Sequence, residues 1–185
     1  MGNSVFESLF TASQGHVLCF LARHIGKSFF DGEIVAATGV SRSAVNLSTR
    51  ALHQAGLLLR ERRGRMNFYS ADDRHPFVRQ FKILDNLAQL EPLLKDLHPL
   101  ARQVILFGSC AQGTNTSESD VDLFILSPER SQVMALISRY PAEFHIQPVI
   151  LNSQELAALK EKDAAFYEQV RRGILLWEAT DELGT

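Results

Sequence analysis

Two acids, Asp120 and Asp122, stand one residue apart, and ten residues separate them from a Gly-Ser pair at Gly108 and Ser109. The whole stretch over 108–126 reads GSCAQGTNTSESDVDLFIL. In an extended strand, residues i and i+2 face the same side, so both carboxylates lie on one face, about 7 Å apart along the chain. Such a pair suits a hard cation, Mg²⁺ or Mn²⁺, and Mg²⁺ is commonly held by one or two carboxylates together with substrate phosphates. Gly108 permits a tight turn and close backbone approach. The Ser109 hydroxyl and the amides beside it can receive phosphate oxygens. Gly113 closes the short turn, and the polar loop TNTSES, ending at Ser119, has room to bend over the site. The pattern reads as a site for ATP or another nucleoside triphosphate. Asp120 and Asp122 are the candidate metal-binding and catalytic acids, and Gly108, Ser109, Gly113 and Ser119 are expected to lie on the nucleotide.

The elements that must carry these residues are short. Gln103–Phe107 is an apolar strand that delivers Gly108, and Asp120–Leu126 is a second, which opens with the acids. A third strand is expected over Glu143–Leu151, EFHIQPVIL. In the tail, Phe166, Val170 and Leu175 read as core, with Gly173 ending a helix before a final strand. Arg171 and Arg172 read as a solvated helix end. Upstream, Phe77, Phe81, Leu84, Leu87, Leu90, Leu93, Leu94 and Leu97 form a helical stripe at three- and four-residue steps. Pro92 is expected to begin a new helix there. The stripe from Phe77 to Leu90 is also a candidate dimer interface.

The front of the chain has a different character. Ser13–Ala22 has the pattern of an amphipathic helix. Asp31 is expected to cap the helix DGEIVAAT, which Gly39 ends, and Ser41 to cap RSAVNLSTRALHQA, which Gly56 ends. Val45, Thr49 and Leu52 share one face of that second helix. Arg42, Ser43, Asn46 and Arg50 lie elsewhere on it, and such side chains at a recognition helix reach base edges. Two strands, Leu57–Glu61 and Met66–Ser70, then flank a turn at Gly64, around which Arg60, Arg62, Arg63 and Arg65 crowd. Three helices and a hairpin in this order read as a winged helix, with the arginines placed for phosphates or a minor groove. The DNA-binding candidates are Arg42, Ser43, Asn46, Arg50, Arg62, Arg63 and Arg65.

Charge follows the same division. Of the 185 residues, 1–75 hold 9 Lys/Arg against 6 Asp/Glu, and 100–185 hold 7 against 12. A basic front and an acidic back imply different partners. The two cysteines, Cys19 and Cys110, do not make a disulfide framework, and with no signal peptide pattern in MGNSVFESLF the expected setting is a cytoplasm. Phe6 stands where an N-acylation motif needs Ser or Thr. No apolar run approaches the length of a bilayer span. The expected architecture is two-domain α+β: a winged helix over 1–75, a connecting helix over 76–91, and a mixed sheet with flanking helices over 92–185.

The Phe-Gly-Ser turn, the ten-residue gap and the Asp-Val-Asp strand resemble the DNA polymerase beta-like nucleotidyltransferases, and the compact form is similar to their minimal members. With the front half, the chain resembles prokaryotic winged helix-turn-helix regulators fused to a minimal nucleotidyltransferase domain. The resemblance implies transfer of a nucleotidyl group with two metals, and release of pyrophosphate. It also implies a third carboxylate on a later strand, at a position that aligns with Gln147; Glu143 shares that parity but lies four residues back. Minimal members often carry Arg in the turn, as GSRARG, where this chain has GSCAQG. Three readings follow. One is a DNA-binding transcriptional regulator whose nucleotide-binding domain has weak or no catalysis. Another is an active Mg²⁺-dependent nucleotidyltransferase that adenylylates a protein, as the antitoxin of a HEPN-domain toxin. The third is a scaffold binding neither DNA nor nucleotide. Double-stranded DNA, a nucleoside triphosphate and a second copy of the chain are the partners implied by the first.

Overall fold

A computed structural model describes residues 11–141 and 144–180 of the chain. The opening MGNSVFESLF and Glu143 lie outside the described residues. The chain divides into two compact units, Met1–Ala88 and Gln89–Thr185.

In the first unit, helix α1 (Ala12–Arg23) is followed by a two-residue strand β1 (Phe29–Phe30), helices α2 (Asp31–Thr38) and α3 (Arg42–Gln54), and the hairpin β2 (Leu58–Arg63) and β3 (Met66–Ala71). The strands form an antiparallel sheet in the order β1-β3-β2. Phe30, rather than Asp31, is the N-cap of α2: Glu33 takes the Phe30 amide at 3.0 Å, and Asp31 lies inside the first turn. Its carboxylate is thereby released to face Asn46. Ser41 caps α3 by accepting the Ala44 amide. Gly39 ends α2 at φ 69°, a left-handed conformation that glycine adopts without strain. Val45, Thr49 and Leu52 are buried, together with Val17, Leu18, Leu21 and Ile34. Asp85, itself buried, binds Arg23 through two hydrogen bonds of 2.6 and 2.8 Å and accepts the Cys19 thiol at 3.0 Å. Burial and then the Asp85 charge push that thiol up to about 12, so it stays protonated.

Helix α4 runs unbroken over Pro76–Leu97, with Pro92 inside it. The expected new start at Pro92 does not occur. Proline is best tolerated in a first turn because it lacks an amide proton, but here the apolar stripe continues through Leu90, Leu93 and Leu97, all buried, and packing keeps the helix going. Among the described residues no helix is long and apolar enough to cross a membrane.

The second unit is an α+β arrangement. Its elements are β4 (Gln103–Phe107), α5 (Gly108–Gln112), β5 (Val121–Leu126), α6 (Arg130–Arg139), β6 (Ile146–Leu151), α7 (Ser153–Lys162), α8 (Ala164–Arg171) and β7 (Ile174–Glu178). The sheet is mixed, in the order β6-β5-β4-β7; β5 and β6 are parallel and the other pairs antiparallel. One face carries Ile105, Phe107 and Phe124, packed with Val170 and Phe166 of α8 and Leu156 of α7. The opposite face carries Val104, Leu106, Leu123 and Ile125, equally buried. Leu175, expected in the core, is 52% exposed: it pairs with Ile105, but β7 is an edge strand with a neighbour on one side only. Trp177 is better covered, stacked on His98 and donating its Nε1 proton to the Ala101 carbonyl.

Candidate functional site

Sheet topology decides where the chemistry gathers. The C-terminal end of β4 and the N-terminal ends of β5, β6 and β7 lie together, because β4 runs antiparallel to β5 and β7 while β6 runs parallel to β5. Gly108 and Ser109 leave β4 at that end. Asp122 pairs with Phe107 on one side and with Gln147 on the other. Paired residues on neighbouring strands point to the same face, so Asp122 and Gln147 sit side by side. The strand order thus puts a neutral amide at the position where a third acid is expected.

Asp120 lies just before β5 and Asp122 is its second residue. Burial and then the Asp120 charge raise the Asp122 carboxyl above the ordinary carboxylate range. The burial has a visible source: a Cβ built on Gly108 would overlap the Asp122 carboxylate, so the turn is pressed against that acid. Gly108 has φ 69°, a second reason for glycine at this position. Ser109 is half-buried and its hydroxyl has no protein partner among the described residues, while its carbonyl accepts the Thr114 amide at 3.0 Å. Gly113 ends α5 at φ 67°. Ser119 accepts the Thr116 amide at 2.9 Å and closes the loop before the acids. Cys110 is buried and directs its thiol at the Asp120 carbonyl.

Sequence reasoning passed over His145, whose Nδ1 is 3.2 Å from an oxygen of Asp120. The Val121 amide donates to the His145 carbonyl at 2.9 Å, which fixes the starts of β5 and β6 side by side. His145 shares strand parity with Gln147, and that alternation was the available signal. Arg172 is exposed, as expected of a solvated helix end, and with Gly173 it also lines a cavity of about 430 Å³ together with Gly108, Ala111 and Gln112.

In the first unit, Arg42, Ser43 and Arg50 are exposed on α3, and Ser43 lies 3.3 Å from Ser41. Asn46 is half-buried and donates to Asp31 at 3.2 Å. Arg62, Arg63 and Arg65 are exposed at the hairpin. Arg62 donates to the Gly64 carbonyl; Arg63 pairs with Glu61 at 2.6 Å and covers the Phe68 ring at 4.5 Å.

The family model of the nucleotidyltransferase domain matches residues 87–178. That stretch is a nucleotidyltransferase domain. The match spans the Gly-Ser turn, both acids and all four strands of the mixed sheet. Among solved structures, the YusO protein from Bacillus subtilis is similar at 25% identity and a TM-score of 0.41, over 52% of this chain and 67% of that one. TrmBL2, an archaeal chromatin protein whose structure shows a mode of DNA binding, is similar at 12% identity and a TM-score of 0.33, over 87% of this chain and 71% of that one. Neither overlap is close enough to add to what the nucleotidyltransferase match establishes. No curated protein matches the chain.

Proposed function

We propose that the chain is a DNA-binding regulator in which the nucleotidyltransferase domain binds a nucleoside triphosphate with Mg²⁺ or Mn²⁺ and has weak or no transferase activity. The observation that carries this reading is the register at the sheet end: the Gly108 turn lies against Asp122, and Gln147 stands beside it. The donor set fits a hard divalent cation. It is two nearby carboxylates, one of them 3.2 Å from the His145 ring, and the Asp120 charge contributes to the raised Asp122 carboxyl. Among the described residues no group of three or more His, Cys, Asp or Glu is placed to hold a metal. The remaining ligands would be phosphate oxygens and water. Asp120 and Asp122 would hold the ion, which supplies charge neutralisation at the phosphates. Ser109 offers a hydroxyl to a phosphate oxygen, and Gly108 gives backbone access. Gly113 and Ser119 act through the turn and loop they close. Gln147 offers an amide oxygen but cannot take up a proton from an attacking hydroxyl, which is why transfer is expected to be weak.

The first unit supports the DNA half of the reading as a winged helix, 1–75, with 76–91 as connector and 92–185 as the nucleotide-binding domain. Arg42, Ser43 and Arg50 project from α3, with Asn46 shared between base contact and Asp31, and Arg62, Arg63 and Arg65 surround the hairpin turn. The two copies of a homodimer would double the phosphate contacts that this modest basic charge supplies.

Calorimetry with a non-hydrolysable ATP analogue, with and without Mg²⁺, and then incubation with radiolabelled ATP test the nucleotide half. Mg²⁺-dependent binding without label transfer or pyrophosphate release is the expected result; absence of binding overturns it. The intact Ser109, Asp120 and Asp122 set favours a second reading, an active enzyme that adenylylates a HEPN-domain partner. Label transfer to such a protein would select it.

A further inference from the structure

The site as described is short of positive charge. Asp120 and Asp122 bring two negative charges, a triphosphate brings several more, and a divalent cation offsets only part of the total. The turn itself, Cys110-Ala111-Gln112, offers no cation. A buried or half-enclosed phosphate needs charge-assisted donors, and arginine supplies a planar fork of them.

The cavity of about 430 Å³ beside the turn has one wall from Gly108, Ala111 and Gln112 and the other from α8 and the residues after it. Its two charged side chains are Glu168 and Arg172. Glu168 is already matched by Arg171 at 3.1 Å. Arg172 is exposed and has no ion-pair partner among the described residues. Gly173 explains how the end of α8 comes so close to β4. A Cβ there would overlap the Leu106 carbonyl and stand 2.8 Å from Ile105 Cγ2, so only glycine lets the chain after α8 press against the end of β4. Helix α8, which forms the far wall, packs through Val170 and Phe166 on the sheet face that bears Asp122. Gly108 belongs both to the cavity and to the contact with Asp122.

We propose that Arg172 is the phosphate-binding cation of this site, reaching the triphosphate of a bound nucleotide through the cavity between α5 and α8. The cation that the turn lacks is delivered from the opposite wall. This rests on the nucleotide-binding reading above and names the residue that would distinguish a triphosphate from a monophosphate.

The test is calorimetry on the full chain with Mg²⁺ and two probes, the α,β-methylene analogue of ATP and AMP, for the wild type, Arg172→Ala, Arg172→Gln and Arg172→Lys. Wild type is expected to prefer the triphosphate. Arg172→Ala and Arg172→Gln should lose on the order of ten-fold in affinity for it, hold AMP unchanged, and so narrow the preference. Arg172→Lys should recover part of the loss. Arg172 is exposed, so the variants are expected to melt with the wild type, and the glutamine variant keeps a polar but uncharged and shorter side chain. Wild-type binding with an unchanged preference in both neutral variants overturns the role of Arg172 alone. No binding of either probe by the wild type overturns the nucleotide reading and this one with it.

Discussion

The arginine hairpin of the first unit and the acidic sheet end of the second both concentrate like charge, but on different supports. Around Gly64 the arginines project on long stems into water, and Arg63 already has Glu61 and the Phe68 ring to lean on. Solvent screens such charges, so without a ligand the hairpin costs the fold little. At the sheet end the stems are short and the backbone is fixed by pairing on both sides. Asp122 lies under the Gly108 turn with Asp120 nearby, and its ionised form is disfavoured. There the like charges do cost the fold, and a bound cation would offset that cost. The first site is therefore expected to bind without changing stability much, and the second to couple ligand binding to stability.

The largest effect that would test this contrast is on nucleotide binding. Replacing both Asp120 and Asp122 by Asn should abolish Mg²⁺-dependent binding in calorimetry; retained binding would remove the acids from the site. Next is Gly108→Ala, which adds a methyl group against the Asp122 carboxylate at a positive φ. It should cost about 2 kcal/mol or more in urea unfolding of the second unit and suppress nucleotide binding as well. Third, Arg63→Ala with Arg65→Ala should weaken DNA binding roughly ten-fold and lower the slope of log affinity against log salt by about 2, with melting unchanged within about 1 °C. An unchanged slope would take the hairpin off the phosphates.

The smallest effect is the sharpest test of the difference in support. The native Asp122 carboxyl binds its proton more tightly than the unfolded one, because its folded pKa is raised. The stability penalty is thus absent well below the ordinary carboxylate range and grows as pH rises through it. Without divalent ions, Asp122→Asn should raise the melting temperature of the second unit by roughly 1–3 °C at pH 7, and the gain should disappear in acid. A gain that persists in acid would trace to packing rather than charge.

Much of this was legible in the chain itself, for identifiable reasons. The strand carrying the acids, the helix capped by Ser41 and the Gly64 hairpin rest on local spacing and turn chemistry, which sequence displays directly. The alignment of Gln147 with the acids rests on alternation within one strand, and the parallel register then sets it opposite Asp122. What was not legible depended on tertiary contact. Parity with Gln147 puts His145 on the same face but does not make it a neighbour of Asp120, and nothing local marks Arg172 as a wall of the cavity at Gly108; strand pairing and the close approach at Gly173 create these contacts. Pro92 misled for the same reason, since packing outweighed its local preference. Leu175 did so because an edge strand leaves one side open.

Pro92 has one more consequence. Lacking an amide proton, it makes no hydrogen bond to the carbonyl of Ala88, and Ala88 is also the last residue of the first unit. The missing rung therefore falls where helix α4 passes from one compact unit to the next, with Val78 and Phe81 in the first and Leu90, Leu93 and Leu97 in the second. Deuterium uptake along this one helix should then proceed at two rates, each set by the opening of a different unit, with the step between them at the seam.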